Sequence, residues 1–318
     1  MEQPKTVFNP QEASNLAIES INDRRNEKQG LKIGLPTIDN YLIPMRKSQL
    51  IGVMGYTSHY KSGFMSFVAN KAIGQLEDEN DVIIYVSWEQ SVEEQIILDI
   101  ARTSFIDAGD IYRGKVSDLD FETLARSAVL RASKPLWIIG HSEAGEKRRP
   151  RLTMTDMANA LVYLTEKEMR KPKLIVLDYL QRINRDDAST GDMRGGFMEI
   201  VDRAKDMAIA FACPVILGTQ AKRDVIDRKW KQPIISDAQE TSNFEQSCDV
   251  IFSTWFPKNT EPIGSTIGPG GNLEYEVTEN LLLIQLLKQK QGQAPILFPM
   301  FVKPATNEMY SLADYAIK

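Results

Sequence analysis

Leu50-Ile-Gly-Val-Met-Gly55-Tyr-Thr-Ser-His-Tyr60-Lys61-Ser62 reads as a short apolar strand, a tight loop and a helix opening near Lys61. Gly55, Lys61 and Ser62 fall at the spacing of a phosphate-binding loop, G-x-x-x-x-G-K-[ST]. The spacing has a chemical reason. A loop feeding a helix N-terminus turns several backbone N–H groups inward, and the helix dipole favours an anion there. Lysine adds a point charge for β- and γ-phosphates, and the serine hydroxyl can ligate Mg2+. Gly55, Tyr56, Thr57, Ser58, His59, Tyr60, Lys61 and Ser62 are therefore the candidate binding loop, with ATP and Mg2+ as its candidate ligands. Tyr60 stands where the motif has its second glycine. Taken alone, the stretch reads equally as an ordinary strand-turn-helix with Lys61 a solvated first-turn lysine.

The bulk of the chain narrows the setting. At 318 residues it can bury one large core or two small ones. Hydrophobic content of 42% and charged content of 25% place it among ordinary globular proteins. A formal net charge of −5 excludes a wholly basic nucleic-acid coat and leaves room for a local basic surface. The two cysteines, Cys213 and Cys248, lie in apolar segments and are expected as buried free thiols in a reducing compartment. With two histidines, His59 and His141, and no Cys/His cluster, a zinc site is not expected. No apolar run reaches the length of a membrane span, and Met1-Glu-Gln-Pro-Lys lacks the apolar core of a signal peptide. A cytoplasmic location without a membrane partner is the expectation.

Along the chain, residues 9–29 read as an amphipathic helix opened by Asn9-Pro10, with only Leu16, Ile18 and Ile21 as an apolar stripe. So thin a stripe requires docking on something else. From residue 31, apolar runs at 50–54, 82–87, 136–140, 173–178, 214–219 and 249–254 alternate with helical patterns near 61–76, 91–104, 153–170 and 197–212. Strands this uniformly apolar belong to a mainly parallel central sheet flanked by helices, an α/β fold. Residues 257–272, rich in Pro, Gly, Asn and Thr, read as a loop. Runs at 281–287 and 296–302 are spaced like an antiparallel hairpin or meander near the C-terminus. The simplest division is an arm at 1–30 and one α/β domain at 31–318.

In an open parallel sheet, ligands bind at the carboxyl ends of the strands. Four such ends carry suggestive residues. They are the loop 55–62, Glu89 in Ser87-Trp-Glu-Gln90, Asp178 in Leu174-Ile-Val-Leu-Asp-Tyr-Leu-Gln181, and Gln220 in Leu217-Gly-Thr-Gln. Nucleoside triphosphate hydrolysis needs such a set: a phosphate cradle, a carboxylate for Mg2+, a carboxylate for the attacking water and a polar γ-phosphate sensor. Each has a plainer reading too. Glu89 suits a helix first turn, Asp178 a strand-end cap, and Gln220 alone carries little. Together and in this order they point to a nucleotide site.

The same residues resemble the C-terminal RecA-like ATPase domain of DnaB-type replicative helicases, from about residue 10 to the C-terminus. Asp178-Tyr-Leu-Gln181 is similar to that family's Walker B segment, and Glu89 and Gln220 fall where it has a catalytic glutamate and a γ-phosphate-sensing glutamine. Gly34-Leu-Pro-Thr-Ile-Asp-Asn resembles its segment ahead of the first strand. Pro233-Ile-Ile-Ser-Asp237-Ala-Gln-Glu240-Thr, then Glu245-Gln-Ser-Cys-Asp249-Val, resembles its SDLRES and IEQDAD stretches. Lys288-Gln-Lys290-Gln-Gly292 resembles its KQRNG segment, whose Lys and Arg reach a neighbouring subunit's ATP site. The resemblance implies a ring-forming ATPase, a hexamer first, with catalytic Glu89, Gln220, Lys288 and Lys290 and metal-binding Ser62 and Asp178. The resemblance does not extend to the family's N-terminal collar, and it implies that helix 9–29 stands where the family's linker helix packs on the next subunit. Three positions depart from the pattern: Tyr60 for Gly, Gln239 for Arg, and Lys290 for the Arg finger. Lysine does not reproduce the bidentate fork of arginine, so these departures bear on rate more than on fold.

Two loops at this end suit a single-stranded DNA partner. Arg182–Gly196 offers Arg185 and Arg194, and Lys222–Lys231 offers Lys222, Arg223, Arg228 and Lys229 around Trp230. By resemblance they line the ring's channel, where cations track the backbone and a stacking aromatic helps. A solvated loop is the plainer reading of the second, and of the basic run Lys147–Arg151. The expected activity is a DNA helicase or translocase with a replication or loader protein as partner. An oligomeric ATP-binding scaffold with weak hydrolysis, and a RecA- or KaiC-like regulatory ATPase, are the alternatives.

Overall fold

Strand β1 (Leu50–Gly55) is buried at every position and lies inside the sheet. Its side chains alternate between two cores. Ile51 and Val53 face one, Leu50 and Met54 the other. The computed structural model describes residues 7–26, 30–144, 152–184, 193–222, 228–238, 241–270 and 273–312. Among these, β1 pairs in parallel with β5 (Val215–Gln220) on one side and β6 (Val250–Trp255) on the other. The parallel part continues beyond β5 through β4 (Lys171–Asp178), β2 (Asp81–Ser87) and β3 (Leu136–Ile139). Beyond β6 come three antiparallel strands, β9 (Leu281–Gln289), β10 (Ile296–Lys303) and β11 (Glu308–Ser311). The sheet order is β11-β10-β9-β6-β1-β5-β4-β2-β3.

Helices cover both faces, which is why the parallel strands carry no polar alternation. On one face α3 (Lys61–Ile73) packs Phe64, Met65 and Val68 against Ile51, Ile83 and Val176. On the other, α7 (Met154–Glu166) and α8 (Met193–Ala210) bury Met157, Leu161, Ile200, Ala204 and Met207 against Ile84, Ile175 and Leu217. α4 (Val92–Ser104) starts at the capping box of Ser91 and Glu94, and α7 at that of Thr153 and Asp156. α7 stops at Glu166, four residues before the expected end, because Met169 takes a left-handed conformation (φ 54°).

Several elements were not expected from the sequence. These are the short α2 (Pro36–Asp39) and α5 (Ala108–Tyr112), α6 (Asp118–Ala132), α9 (Thr241–Ser247), and β11. The stretch 257–272, expected as a loop, contains β7 (Thr266–Gly270), which pairs antiparallel with β8 (Leu273–Glu276). This ribbon is rich in glycine and polar residues, so it carries no alternating apolar signal. The expected antiparallel pairing near the C-terminus is present as β9 with β10.

Cys213 and Cys248 are buried free thiols, and burial pushes both up, Cys213 to about 12. Helix α1 (Pro10–Asn26) leaves Leu16, Ile18 and Ile21 exposed. Among the described residues no helix is long and apolar enough to cross a membrane.

Candidate nucleotide-binding site

The parallel registers bring four chain segments to one end of the sheet. Gly55 pairs with Gln220, and Ser87 with Asp178. Each position ends its strand, so the loop after β1, Glu89, Asp178 and Gln220 share the carboxyl edge.

Every residue of the loop 56–60 has its own partner from elsewhere in the chain. The Tyr56 hydroxyl donates to the Lys231 carbonyl at 2.9 Å. Thr57 Oγ1 accepts from the Gln220 amide. The Ser58 carbonyl accepts from Asn259 Nδ2 at 2.7 Å. His59 Nδ1 accepts from the Phe256 N–H at 3.1 Å. The Tyr60 hydroxyl donates to Asn307 Oδ1 at 2.7 Å. Burial holds His59 neutral, with its pKa lowered to about 4. Tyr60 sits at the N-cap of α3 with φ 66°, the left-handed conformation that the motif's glycine would take freely, and Ser58 also has φ 66°. Gly55 is needed for packing, since a Cβ there would stand 2.5 Å from Thr254 Oγ1.

Behind the loop is a buried charge pair. Lys61 is 7% exposed, and Asp178 is 3% exposed. Burial pushes Lys61 below its ordinary value, opposed by the charges of Asp178 and Glu89. Burial pushes Asp178 above the carboxylate range, opposed by Lys61, Tyr85 and Ser62. Asp178 Oδ1 accepts from Ser62 Oγ at 3.0 Å and Oδ2 from the Tyr85 hydroxyl at 2.7 Å. Lys61 Nζ lies 4.1 Å from the centroid of the Tyr179 ring. One hydroxyl beside one carboxylate suits Mg2+, which completes its shell with phosphate oxygens and water, and does not suit zinc. Among the described residues no group of three or more His, Cys, Asp or Glu gathers to hold a metal by itself.

Glu89 extends past β2 as an exposed side chain, with Arg182 Nη2 3.7 Å from its Oε1. Gln220 is held at both ends: its N–H donates to Gln181 Oε1 at 3.1 Å, and its side chain donates to Thr57. Gln181 in turn donates to Thr219 Oγ1 at 3.0 Å. The segment after β4, the end of β5 and the loop after β1 are therefore joined through one chain of amides and hydroxyls.

Lys288 and Lys290 lie elsewhere. Ile251 pairs with Lys288, and Lys290 N–H donates to the Asp249 carbonyl, which puts both at the amino end of β6. About five strand residues separate that end from Gly55, on the order of 16 Å. Lys290 Nζ is 2.6 Å from Asp249 Oδ1, and Lys205 Nζ is 2.6 Å from the other oxygen. Lys288 Nζ donates to the Cys248 carbonyl at 2.9 Å and to that of Glu245. Neither lysine reaches this chain's own loop.

Of the expected nucleic-acid residues, Arg185, Arg223 and the side chain of Arg194 lie outside the described residues, as do Gln239 and the run 147–151. Lys222 and Lys229 follow β5 at the carboxyl edge, Lys229 exposed. Arg228 forks onto the buried Asp237 at 2.9 and 2.6 Å, an internal ion pair. Trp230 packs edge-on against Trp255, with centroids 5.0 Å apart, and braces its loop instead of standing out as a stacking platform. The sequence reading missed Tyr85, Asn259 and Asn307. Tyr85 had a signal, a lone phenol in an otherwise apolar run; the two asparagines had none.

This arrangement of sheet, loop and strand-end carboxylate defines a RecA-like α/β fold. Two solved structures share it: a DnaB-like replicative helicase studied for its interactions with primase, and a second protein's ATPase domain. Each superimposes with a TM-score of 0.76 at 18% identity over 96% of this chain, covering 68% and 99% of those chains. The DnaB-like helicase C terminal domain family matches residues 30–296, and the chain belongs to that family. The replicative DNA helicase DnaB of Geobacillus stearothermophilus is 23% identical over 90% of this chain and 58% of its own length. The replicative DNA helicase DnaC of Bacillus subtilis is 22% identical over the same shares. DnaB of Helicobacter pylori is 24% identical over 71% of this chain and 43% of its own length. The chain spans about half the length of these relatives.

Proposed function

We propose that this protein is a ring-forming, ATP-driven DNA helicase or single-stranded DNA translocase of DnaB type, with residues 1–30 as an arm and 31–318 as the ATPase domain. The observation that carries the reading is the Ser62–Asp178 hydrogen bond behind a tethered phosphate loop, with Glu89 and Gln220 at adjoining strand ends. The α3 N-terminus and the loop N–H groups bind the phosphates. Lys61, desolvated and held over Tyr179, presents its charge to them. Ser62 and Asp178 would hold Mg2+, which when bound neutralises phosphate charge. Glu89 orients the attacking water and takes its proton. Gln220 registers the γ-phosphate through its link to Thr57.

Lys288 and Lys290 stand at the opposite edge of the sheet, so they serve a neighbouring subunit's nucleotide in a ring, hexameric as first choice. The exposed stripe of α1 supports docking on that neighbour. DNA tracks the loops that carry Lys222, Arg223 and Lys229, at the edge where Gln220 sits. The setting proposed is cytoplasmic, with a replication or loader protein as partner.

The test is ATP turnover with and without single-stranded DNA, alongside displacement of a strand from a forked duplex. DNA-stimulated turnover with strand displacement is expected. Absence of nucleotide binding in calorimetry with Mg2+ overturns the reading. A second reading, an ATP-binding oligomeric scaffold, is favoured by the ion pairing of Lys290 to Asp249. Nucleotide binding without turnover selects it.

A further inference from the structure

Two left-handed residues from distant parts of the chain meet beside the phosphate loop. Tyr60 has φ 66° and Asn307, in the turn between β10 and β11, has φ 52°. This conformation is costly for tyrosine and tolerated by asparagine. The Tyr60 hydroxyl donates to Asn307 Oδ1 at 2.7 Å, and Asn307 is buried. The Tyr60 ring leans on Phe256, with centroids 5.9 Å apart. It also covers Gly63, where a Cβ would come within 2.6 Å of the ring. The glycine absent at 60 is thus matched by one at 63 that makes room for the ring. β10 runs parallel to β1, because β6 runs with β1, β9 against β6, and β10 against β9. Its carboxyl end, and hence the β10–β11 turn, faces the edge where the loop lies.

We infer that Asn307 is a positioning residue of the nucleotide site. Acting through Tyr60, it holds the loop 56–60 in the left-handed bend that aims Lys61 and the α3 amino end at phosphate. The inference rests on the nucleotide reading above. A glycine would reach this bend without steric cost and leave the loop free to depart from it. Here a tether from the antiparallel edge of the sheet fixes it.

The test uses the full chain and the variants Asn307→Ala, Asn307→Asp, Tyr60→Phe and the Ala/Phe double variant. The first readout is amide hydrogen exchange of residues 57–62 without nucleotide. Asn307→Ala and Tyr60→Phe should each speed it, whereas Asn307→Asp, which keeps the acceptor, should match wild type. The second readout is Mg–ADP affinity by calorimetry. Asn307→Ala and Tyr60→Phe should each bind about tenfold more weakly, as expected for one lost hydrogen bond. The double variant should be no worse than either single one. Unchanged exchange in both single variants overturns the tether. Faster exchange with wild-type affinity, or additive losses, overturns the positioning role. Wild-type protein that binds no nucleotide overturns the nucleotide reading itself, and the exchange data then still report whether the tether exists.

Discussion

Ser62 and Asp178, 116 residues apart, share a hydrogen bond of 3.0 Å at the carboxyl edge of the sheet. The contact exists because β1 and β4 flank β5 in parallel, with Leu177 and Gly52 both level with Leu217, so Asp178 ends its strand beneath the loop that leads from Gly55 into α3. The other oxygen of Asp178 is occupied by Tyr85, so the carboxylate has one fixed orientation. Asp178→Asn replaces one acceptor oxygen by a donor and leaves Lys61 without its buried counter-charge. Nucleotide affinity in the variant should no longer depend on Mg2+. Calorimetry with Mg2+ and with chelator checks this; equal Mg2+ enhancement in variant and wild type refutes it.

Glu89 stands apart from this buried pair, exposed and beside Arg182. In the proposed mechanism it accepts a proton, a role that binding does not require. Glu89→Gln should bind nucleotide as wild type does and turn over about 10²–10⁴-fold more slowly. Turnover within about tenfold of wild type would assign the water to another base.

The strand-loop-helix at 50–62 was legible because its chemistry is local: apolar run, glycine, lysine and serine at fixed spacing. The strands were legible for a related reason, being buried on both faces and so uniformly apolar. α6 was not, because Leu119, Phe121, Val129 and Leu130 point outward and leave no inward stripe to read. Its capping box, Ser117 with Asp120, was the one local sign. In the candidate site, the lysine, the serine and the strand-end carboxylates were readable. The tethers were not: Asn259 and Asn307 are turn residues 201 and 247 positions from the loop residues they hold. Arg228 and Trp230 show the opposite error, where a basic and aromatic composition conceals an ion pair and a ring contact.

His59 gives the loop a pH dependence. Its folded pKa is about 4 against an ordinary 6.5, so the fold disfavours its protonated form. Above pH 6.5 it is neutral folded or unfolded and contributes no slope. As pH falls from 6.5 towards 4, the unfolded chain takes up the proton first and stability drops. The loss from His59 should be about 2 kcal/mol between about pH 7 and 5. His59→Gln keeps an acceptor for the Phe256 N–H and does not titrate. Its thermal midpoint should fall less than that of wild type over this interval; parallel curves would contradict the assignment.

Leu16, Ile18 and Ile21 lie exposed on α1. If they dock on a neighbour, deletion of residues 1–29 should weaken assembly while nucleotide binding survives. Light scattering with ATP and DNA present measures it. Wild-type protein that stays monomeric at high concentration counts against the ring, and undiminished assembly of the truncated chain counts against the arm.

The basic loop after β5 divides into two kinds of cation. Arg228 is bound to Asp237, which is 2% exposed and also accepts from the Ile234 N–H. Removing that arginine strands a buried carboxylate, so Arg228→Ala should lower stability by roughly 1–3 kcal/mol. Lys229 is exposed, and Arg223 lies six positions before it in the sequence. Neutralising Arg223 and Lys229 together should leave folding and ATP binding intact and weaken single-stranded DNA binding with little regard to base sequence. The log–log salt dependence should flatten by up to about 0.7 per lost phosphate contact. Binding titrations across a salt series, beside thermal melts of each variant, separate the two effects. If the Arg223/Lys229 variant keeps wild-type affinity and slope, this loop does not track the DNA backbone, and the scaffold reading gains over the helicase.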